Sequence, residues 1–113
     1  MALLGKSAIL SADDFQYALV PCPEWGGEVR VRGLTAADQA YISKLTAQDK
    51  KETLTLTVFI RGVVDENGER IFTASDMEDV KNRSYAVVER VAMKIIELTS
   101  SGSAEAIENL RKN

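Results

Sequence analysis

Histidine is absent from this 113-residue sequence, and cysteine and tryptophan each occur once. Without histidine the chain cannot form a Ser-His-Asp or Cys-His catalytic arrangement. A single cysteine provides neither an internal disulfide nor, without histidine, the ligands of a structural zinc. An enzyme that uses lysine or carboxylates is the remaining alternative, but no convergent set of such residues can be named. We therefore predict that the protein is not an enzyme and has no catalytic, cofactor-binding or metal-binding residues.

Long apolar runs and an excess of positive charge are also missing. No run of apolar residues exceeds four, whereas a membrane-spanning helix needs about 20. The 14 basic and 17 acidic residues give a net charge of -3, so the chain lacks the positive field typical of nucleic-acid binding. The first residues do not follow the basic-then-apolar order of a signal peptide. These absences predict a cytoplasmic protein with neither nucleic acid nor membrane as a partner.

Two short stretches match parts of ligand-binding motifs. Leu4-Gly5-Lys6-Ser7 has the last residues of a phosphate-binding loop, but the first glycine of that motif is missing and no strand precedes it. Asp65-Glu66-Asn67-Gly68 resembles part of a calcium loop, yet the first and twelfth positions of such a loop would be Val63 and Ala74, which cannot act as ligands. We interpret the first stretch as an ordinary segment and the second as a turn.

The unique cysteine and tryptophan lie together in Cys22–Leu34, which reads CPEWGGEVRVRGL. Residues 15–20 before it and 29–32 within it show the alternation of apolar and polar residues that predicts strands. Between them, two prolines and the pair Gly26-Gly27 are typical of a turn. This pattern predicts a two-stranded antiparallel hairpin, in which Cys22 is a small packed or surface residue.

The rest of the sequence predicts about four helices, so the expected fold is α+β and mainly helical. The first begins at an N-cap Thr35, with Asp38 three residues later, and ends near Ala47. The second is expected at residues 53–64, after a capping pattern at 49–52. The third is expected to start at a capping box at 75–78 and to end near residue 82, and the fourth is expected at 84–98. Residues 63–64 and 70–72 could pair across the 65–69 turn or form a loop. Residues 1–100 are expected to form one domain, followed by a flexible polar tail at 101–113.

The predicted core and the predicted interaction residues overlap. Trp25 either packs inward or anchors a protein partner. Arg30 and Arg32 either form the polar face of a half-buried strand or bind acidic residues of another subunit. With Tyr41, they form the set of candidate protein-binding residues. The predicted core consists of Tyr17, Leu19, Val29, Val31, Tyr41, Leu45, Phe59, Ile60, Phe72, Val88, Val91, Ile95 and Ile96.

Three segments together resemble the small tail assembly chaperones of long-tailed bacteriophages. These are PEWGGEVRVRGLTAADQAYI at 23–42, VVDENGERIFTASDMEDV at 63–80, and a long terminal helix that leads into ELTSS at 97–101. Members of that family often carry a Glu-Arg pair early in the first helix, where this chain has Asp38-Gln39. The resemblance covers nearly the whole chain.

The resemblance implies a non-enzymatic chaperone with two partners. It would bind the tape measure protein, keep the long helices of that protein soluble, and recruit tail tube subunits during tail assembly. Such a protein would act in the host cell cytoplasm and be absent from the mature virion, and self-association is left open. The alternative is a structural tail-completion or head–tail joining component of the virion, which would be of similar size and also lack catalytic groups.

Overall fold

The predicted α+β architecture is confirmed. A computed structural model describes residues 3–48 and 53–112, with side chains for 3–48 and 53–100. The helices are α1 (Lys6–Ser11), α2 (Ala36–Ala47), α3 (Leu54–Gly62), α4 (Met77–Lys81) and α5 (Tyr85–Lys112). The strands are β1 (Tyr17–Cys22), β2 (Gly27–Arg32) and β3 (Val63–Val64), and they form one antiparallel sheet in the order β1-β2-β3.

The β1–β2 hairpin is present as predicted, but its turn is shorter than expected, because Pro21 and Cys22 belong to β1 and Gly27 belongs to β2. Tyr17 pairs with Arg32 at one end and Cys22 with Gly27 at the other. The connection is a single 3-10 turn at Pro23–Trp25, where proline starts the turn and Gly26 ends it with a φ of 85°. Such a φ favours glycine, since a side chain is strained in the left-handed region. The turn therefore fixes Trp25 at the tip of the hairpin.

The inward face of β1 is the opposite of the one expected from the sequence. Val20 and Cys22 are buried, whereas Leu19 is 58% exposed. The prediction that Leu19 belongs to the core, with Tyr17 on the same face, is therefore wrong for Leu19. Apolar residues lie at both the odd-numbered and the even-numbered positions of this short strand, that is, on both of its faces. Alternation alone therefore could not decide which face packs on the helices. Tyr17 is partly buried on the outer face, where it lies beside Arg30.

The core lies between the inner face of the sheet, α3 and α5. The apolar stripe of α5 is buried from Val87 to Ile95, and Ile95 packs directly on Gly62 at the end of α3. Ile96, which was expected in the core, is 42% exposed because it lies just beyond the edge of that stripe. The buried cluster consists of Val20, Cys22, Val31, Val58, Phe59, Ile60, Val63, Val80, Val87, Val88, Val91, Ala92 and Ile95.

Helix α2 has the predicted bounds and cap, but it packs through a different face. Thr35 accepts a hydrogen bond from the Asp38 N–H, and the Asp38 carboxylate accepts one from the Thr35 N–H, which together form a capping box. The expected apolar face included Tyr41, yet Tyr41 is 41% exposed. Leu45 is buried as predicted, but the packed face also contains the buried Asp38 and the half-buried Ile42. A carboxylate is not expected on an inward face, so the sequence pattern gave the wrong orientation.

The segment predicted as a helix at 53–64 is helical for most of its length. Helix α3 ends at Gly62, and Val63–Val64 form β3, which pairs with Arg30 and Val31 of β2. Val64 also forms an isolated bridge with Arg70, so the brief pairing left open by the sequence is present. The capping pattern predicted at 49–52 lies outside the described residues.

The last two predicted helices differ from the prediction at one end each: α4 in its cap, and α5 in its C-terminal end. Before α4, the capping box consists of Thr73 and Asp76 and starts a 3-10 turn, so the expected box at 75–78 is wrong. Helix α5 continues beyond the predicted end at Leu98 to Lys112. Thr99 has a low helix propensity, but its hydroxyl donates to the Ile95 carbonyl and accepts from the Leu34 N–H. Through these two hydrogen bonds, Thr99 remains part of α5, although the sequence predicts that the helix ends before it.

Helix α1 was not predicted from the sequence. Its six residues are all exposed, and it begins without a side-chain cap. Ile9 is 56% exposed and Leu10 is 75% exposed. Tertiary packing therefore contributes little to this short helix.

Candidate protein-binding site

The Trp25 side chain is partly packed and partly exposed, which is intermediate between the two expectations for it. It is 37% exposed, and its ring meets Phe59 edge to face, with ring centroids 6.0 Å apart. Phe59 in turn contacts Phe72 at 5.5 Å. The three rings line a cleft of about 530 Å³ whose rim includes Asp79 and Arg83. A partner's apolar side chain could contact these rings without displacing any core residue.

A smaller cleft of about 100 Å³ adjoins the first, because Phe72 lines both. The second cleft is lined by Tyr41, Arg61 and Met77, among others. The Arg61 guanidinium lies over the Tyr41 ring, 4.2 Å from its centroid, a geometry that stabilises a cation against the ring face. We call the two clefts together the aromatic surface, defined by Trp25, Phe59, Phe72, Tyr41 and Met77.

Asp38 holds the polar end of the aromatic surface in place. This carboxylate is 1% exposed and accepts hydrogen bonds from Arg61 at 2.8 Å and from Arg70 at 2.5 Å. Burial raises the pKa of Asp38, but hydrogen bonds from Thr35, Arg61 and Arg70 outweigh it, so the pKa lies below its usual value. The carboxylate is therefore ionised at neutral pH and ties α2 to α3 and to the segment after the 65–69 turn.

Trp25 is held by an ion pair at the neighbouring residue. The Arg90 guanidinium of α5 donates to both carboxylate oxygens of Glu24, at 2.9 Å and 2.6 Å, and also to the Pro21 carbonyl. The hydrogen bond from Arg90 lowers the pKa of Glu24 to about 2. This bidentate contact joins the hairpin tip, next to Trp25, to α5.

Arg30 and Arg32 lie apart from the aromatic surface, on the outer face of the sheet. Arg30 stacks on Tyr17 and donates to the Asp65 and Glu66 carbonyls, while Arg32 stacks on Phe15 and donates to the Gly68 carbonyl. Both guanidinium groups therefore hold the 65–69 turn onto the sheet. The expectation that Arg30 and Arg32 also bind a partner protein stays a prediction.

Cys22 is fully buried, and desolvation raises the pKa of its thiol. A thiol that stays protonated in a closed core is a poor nucleophile. Within residues 3–48 and 53–100, no cluster of three or more histidine, cysteine, aspartate or glutamate side chains is placed to bind a metal ion. The described backbone, residues 3–48 and 53–112, includes no helix with the length and apolar character needed to cross a membrane.

The structure thus brings together two of the four candidate residues, Trp25 and Tyr41, through Phe72. Sequence reasoning assigned Phe72 to the core and did not identify Arg61, Arg70 or the buried state of Asp38. The capping pattern at Thr35 and Asp38 was visible, but a cap of this kind is usually exposed. Neither arginine had a local signal, because their shared partner is 23 and 32 residues away.

Comparison with known proteins finds a matching family and similar solved structures. The family model described as phage tail assembly chaperone matches residues 5–112. The solved structure of the bacteriophage HK97 tail assembly chaperone is similar with a TM-score of 0.66 and 18% sequence identity, covering 83% of this chain and 92% of that one. At this identity the likeness establishes the fold. A search of curated proteins finds no significant match.

Proposed function

This chain belongs to the phage tail assembly chaperone family, and from that membership we propose that it binds the tape measure protein through the aromatic surface and recruits tail tube subunits. A chaperone role in tail assembly follows from the family itself.

The observation that carries the proposal is the continuity of the aromatic surface. Partly exposed rings reach from Trp25 through Phe72 to Tyr41, and aromatic residues of this kind dominate binding energy in protein interfaces. An amphipathic helix presents apolar side chains at every third or fourth position, so one helix can place successive side chains in the two clefts. This mode of binding covers the apolar face of a client helix and keeps it from aggregating.

The charges beside the aromatic surface also suit a helical client. Arg61 and Arg70 share the single carboxylate of Asp38, which leaves one positive charge in excess. Both arginines are partly exposed, at 28% and 32%. An acidic residue next to the apolar stripe of a client helix would offset this charge, while the ionised Asp38 keeps the arginines in position.

Co-expression with the tape measure protein of the same phage tests this proposal. We expect the wild-type chain to raise the soluble yield of the tape measure protein, and Trp25→Ala and Tyr41→Ala each to reduce that gain at least about tenfold, as for a residue central to an interface. Ile71→Ala is the matched control, because Ile71 is 52% exposed but lines neither cleft.

Two results would contradict the proposal. An equally insoluble tape measure protein with and without the wild-type chain would show that the chain is no chaperone for it. Wild-type solubilisation by folded Trp25→Ala and Tyr41→Ala variants would show that the aromatic surface is not the site. Circular dichroism of each purified variant establishes that it is folded.

A further inference from the structure

The two clefts of the aromatic surface differ in charge. Arg61 and Arg70 both line the smaller cleft, and within the described residues the carboxylate that they contact is that of Asp38. Two guanidinium groups against one carboxylate leave an excess of one positive charge there. The rim of the larger cleft has one acidic and one basic residue, Asp79 and Arg83, and so has no such excess. The smaller cleft is therefore the part of the aromatic surface that distinguishes partners by charge.

Most of the N–H donors of these two arginines remain available to a partner. A guanidinium group has five N–H donors. Arg61 donates to Asp38 only through Nη1, and Arg70 donates to it only through Nη2. Within the described part of the chain, Nε and the other terminal nitrogen of each arginine donate no hydrogen bond. Because both side chains are partly exposed, an acceptor from outside the chain can reach them.

A buried hydroxyl adds a further donor to the smaller cleft. Thr57 lies four residues before Arg61 on α3, so the two side chains are on the same face of the helix, and both line the cleft. Thr57 is only 3% exposed, yet its hydroxyl forms no hydrogen bond with any described residue. The large majority of buried polar side chains have a partner. The Thr57 hydroxyl is therefore available to an acceptor that enters the cleft.

The volume of the cleft limits the group that can enter it. The cleft measures about 100 Å³, whereas one molecule of liquid water occupies about 30 Å³. It therefore has room for a carboxylate with its methylene carbons but not for a nucleotide. A carboxylate also matches the donors, because it accepts two parallel hydrogen bonds from guanidinium N–H groups. The apolar side chains of Phe72 and Met77, which line the same cleft, suit the methylene carbons.

The position of the cleft fits a carboxylate on the same helix that occupies the rest of the aromatic surface. Phe72 lines both clefts, so they are adjacent. Side chains three or four residues apart on a helix have Cβ atoms about 5–6 Å apart. A helix with an apolar side chain against Trp25 and Phe59 therefore has another side chain, one turn along, within reach of the smaller cleft.

We propose that the smaller cleft is a carboxylate subsite, which selects helices with a glutamate or aspartate three or four residues from the apolar side chain bound against Trp25. This inference rests on the proposed function and specifies the composition of the helix that the aromatic surface binds. Arg61, Arg70 and Thr57 donate hydrogen bonds to the carboxylate of the partner. Asp38 keeps the two arginines in position, and the second carboxylate offsets their excess charge.

The experiment measures, by titration calorimetry, the binding of three synthetic helical peptides to the purified full-length chain. Each peptide has about 20 residues, enough to form a helix, and the same leucine stripe at helical spacing. The positions that flank the stripe are all glutamate, all glutamine or all lysine. The ends of each peptide are blocked, so that side chains supply the only carboxylates.

Four variants of the chain separate the carboxylate subsite from the rest of the aromatic surface. Arg61→Gln and Arg70→Gln each leave Asp38 with one arginine and remove the excess positive charge. Lys44→Gln is the matched control, because it removes the same charge from an exposed residue that lines neither cleft. Trp25→Ala reports the apolar contact, on which the proposed function depends.

We expect the wild-type chain to bind the glutamate peptide about tenfold more tightly than the glutamine peptide, as for hydrogen bonds to a charged group, and the lysine peptide most weakly. Arg61→Gln and Arg70→Gln should each bind the glutamate and glutamine peptides about equally. Lys44→Gln should retain the wild-type preference. Trp25→Ala should weaken the binding of all three peptides by a similar factor and leave the preference unchanged.

Two results would overturn the inference and leave the proposed function intact. These are equal binding of the glutamate and glutamine peptides by wild type, and a wild-type preference in folded Arg61→Gln and Arg70→Gln variants. Arg61→Lys and Arg70→Lys keep a cation beside Asp38 but lack the planar guanidinium group. They replace any glutamine variant that circular dichroism shows to be unfolded, and they should also lower the preference. Binding of none of the three peptides to wild type would contradict the proposed function and the inference together.

Discussion

At the scale of single residues, Asp38 shows how one side chain can have two structural roles. Its carboxylate caps α2 through Thr35 and forms ion pairs with both Arg61 and Arg70 while it is 1% exposed. A buried carboxylate with these donors is stabilised in its charged form. If it were removed, two partly buried guanidinium groups would lose their partner and α2 would lose its cap. Asp76 offers a comparison, because it also closes a capping box but is paired with no arginine in the described part of the chain.

We predict that Asp38→Ala lowers the free energy of unfolding by about 3–5 kcal/mol, the range for breaking a buried ion pair. Asp76→Ala should lower it by only about 1 kcal/mol, the typical cost of a lost cap. Urea denaturation of both variants and wild type measures the difference. Equal losses in the two variants would mean that the contacts with Arg61 and Arg70 contribute nothing beyond the cap.

At the scale of secondary-structure elements, α3 packs against α5 at Gly62 without room for a side chain. A Cβ at Gly62 would lie 2.5 Å from the Cδ1 and Cγ2 atoms of Ile95, a residue with no exposed surface. Ile95 has no room to move, because it is enclosed by the core. The glycine at the end of α3 is thus required by packing and not by its backbone conformation. Gly27 of β2 differs, since no atom lies within 4 Å of the position of its Cβ.

Gly62→Ala is expected to destabilise the protein by about 1–3 kcal/mol through overpacking, although alanine is the better helix former. Gly27→Ala should instead be neutral or stabilise by up to about 1 kcal/mol, because it reduces the entropy of the unfolded chain. Thermal or urea unfolding of the two variants tests the contrast in sign. A Gly62→Ala protein as stable as wild type would show that α3 and α5 can separate without cost.

At the scale of the whole molecule, two concave surfaces lie on separate parts of one small domain. The aromatic surface lies along α3 and the residues between the 65–69 turn and α4, while the second surface, which includes Leu19, Met93 and Ile96, lies along β1 and α5. Both expose apolar groups that a partner would cover. A chaperone role in tail assembly requires binding during assembly and not in the finished particle.

We therefore predict that the chain is absent from the mature virion. Quantitative mass spectrometry of purified virions should detect the tape measure and tail tube proteins and none of this chain above trace level. Lysates of infected cells, taken before tail assembly is complete, serve as the positive control. Stoichiometric presence in purified virions would instead favour the structural alternative, a tail-completion or head–tail joining component.

The sequence by itself determined the hairpin, its turn, the cap of α2 and the apolar stripe of α5. Each of these depends on local rules: alternation, glycine at a positive φ, capping geometry and helical periodicity. It also carried the family resemblance, which the match over residues 5–112 confirmed. Only the tertiary structure decided which face of β1 and of α2 packs inward, and that Leu19, Tyr41 and Ile96 are exposed. Burial depends on what lies opposite a residue, and those partners are distant in sequence: Asp38 is buried by arginines 23 and 32 residues away.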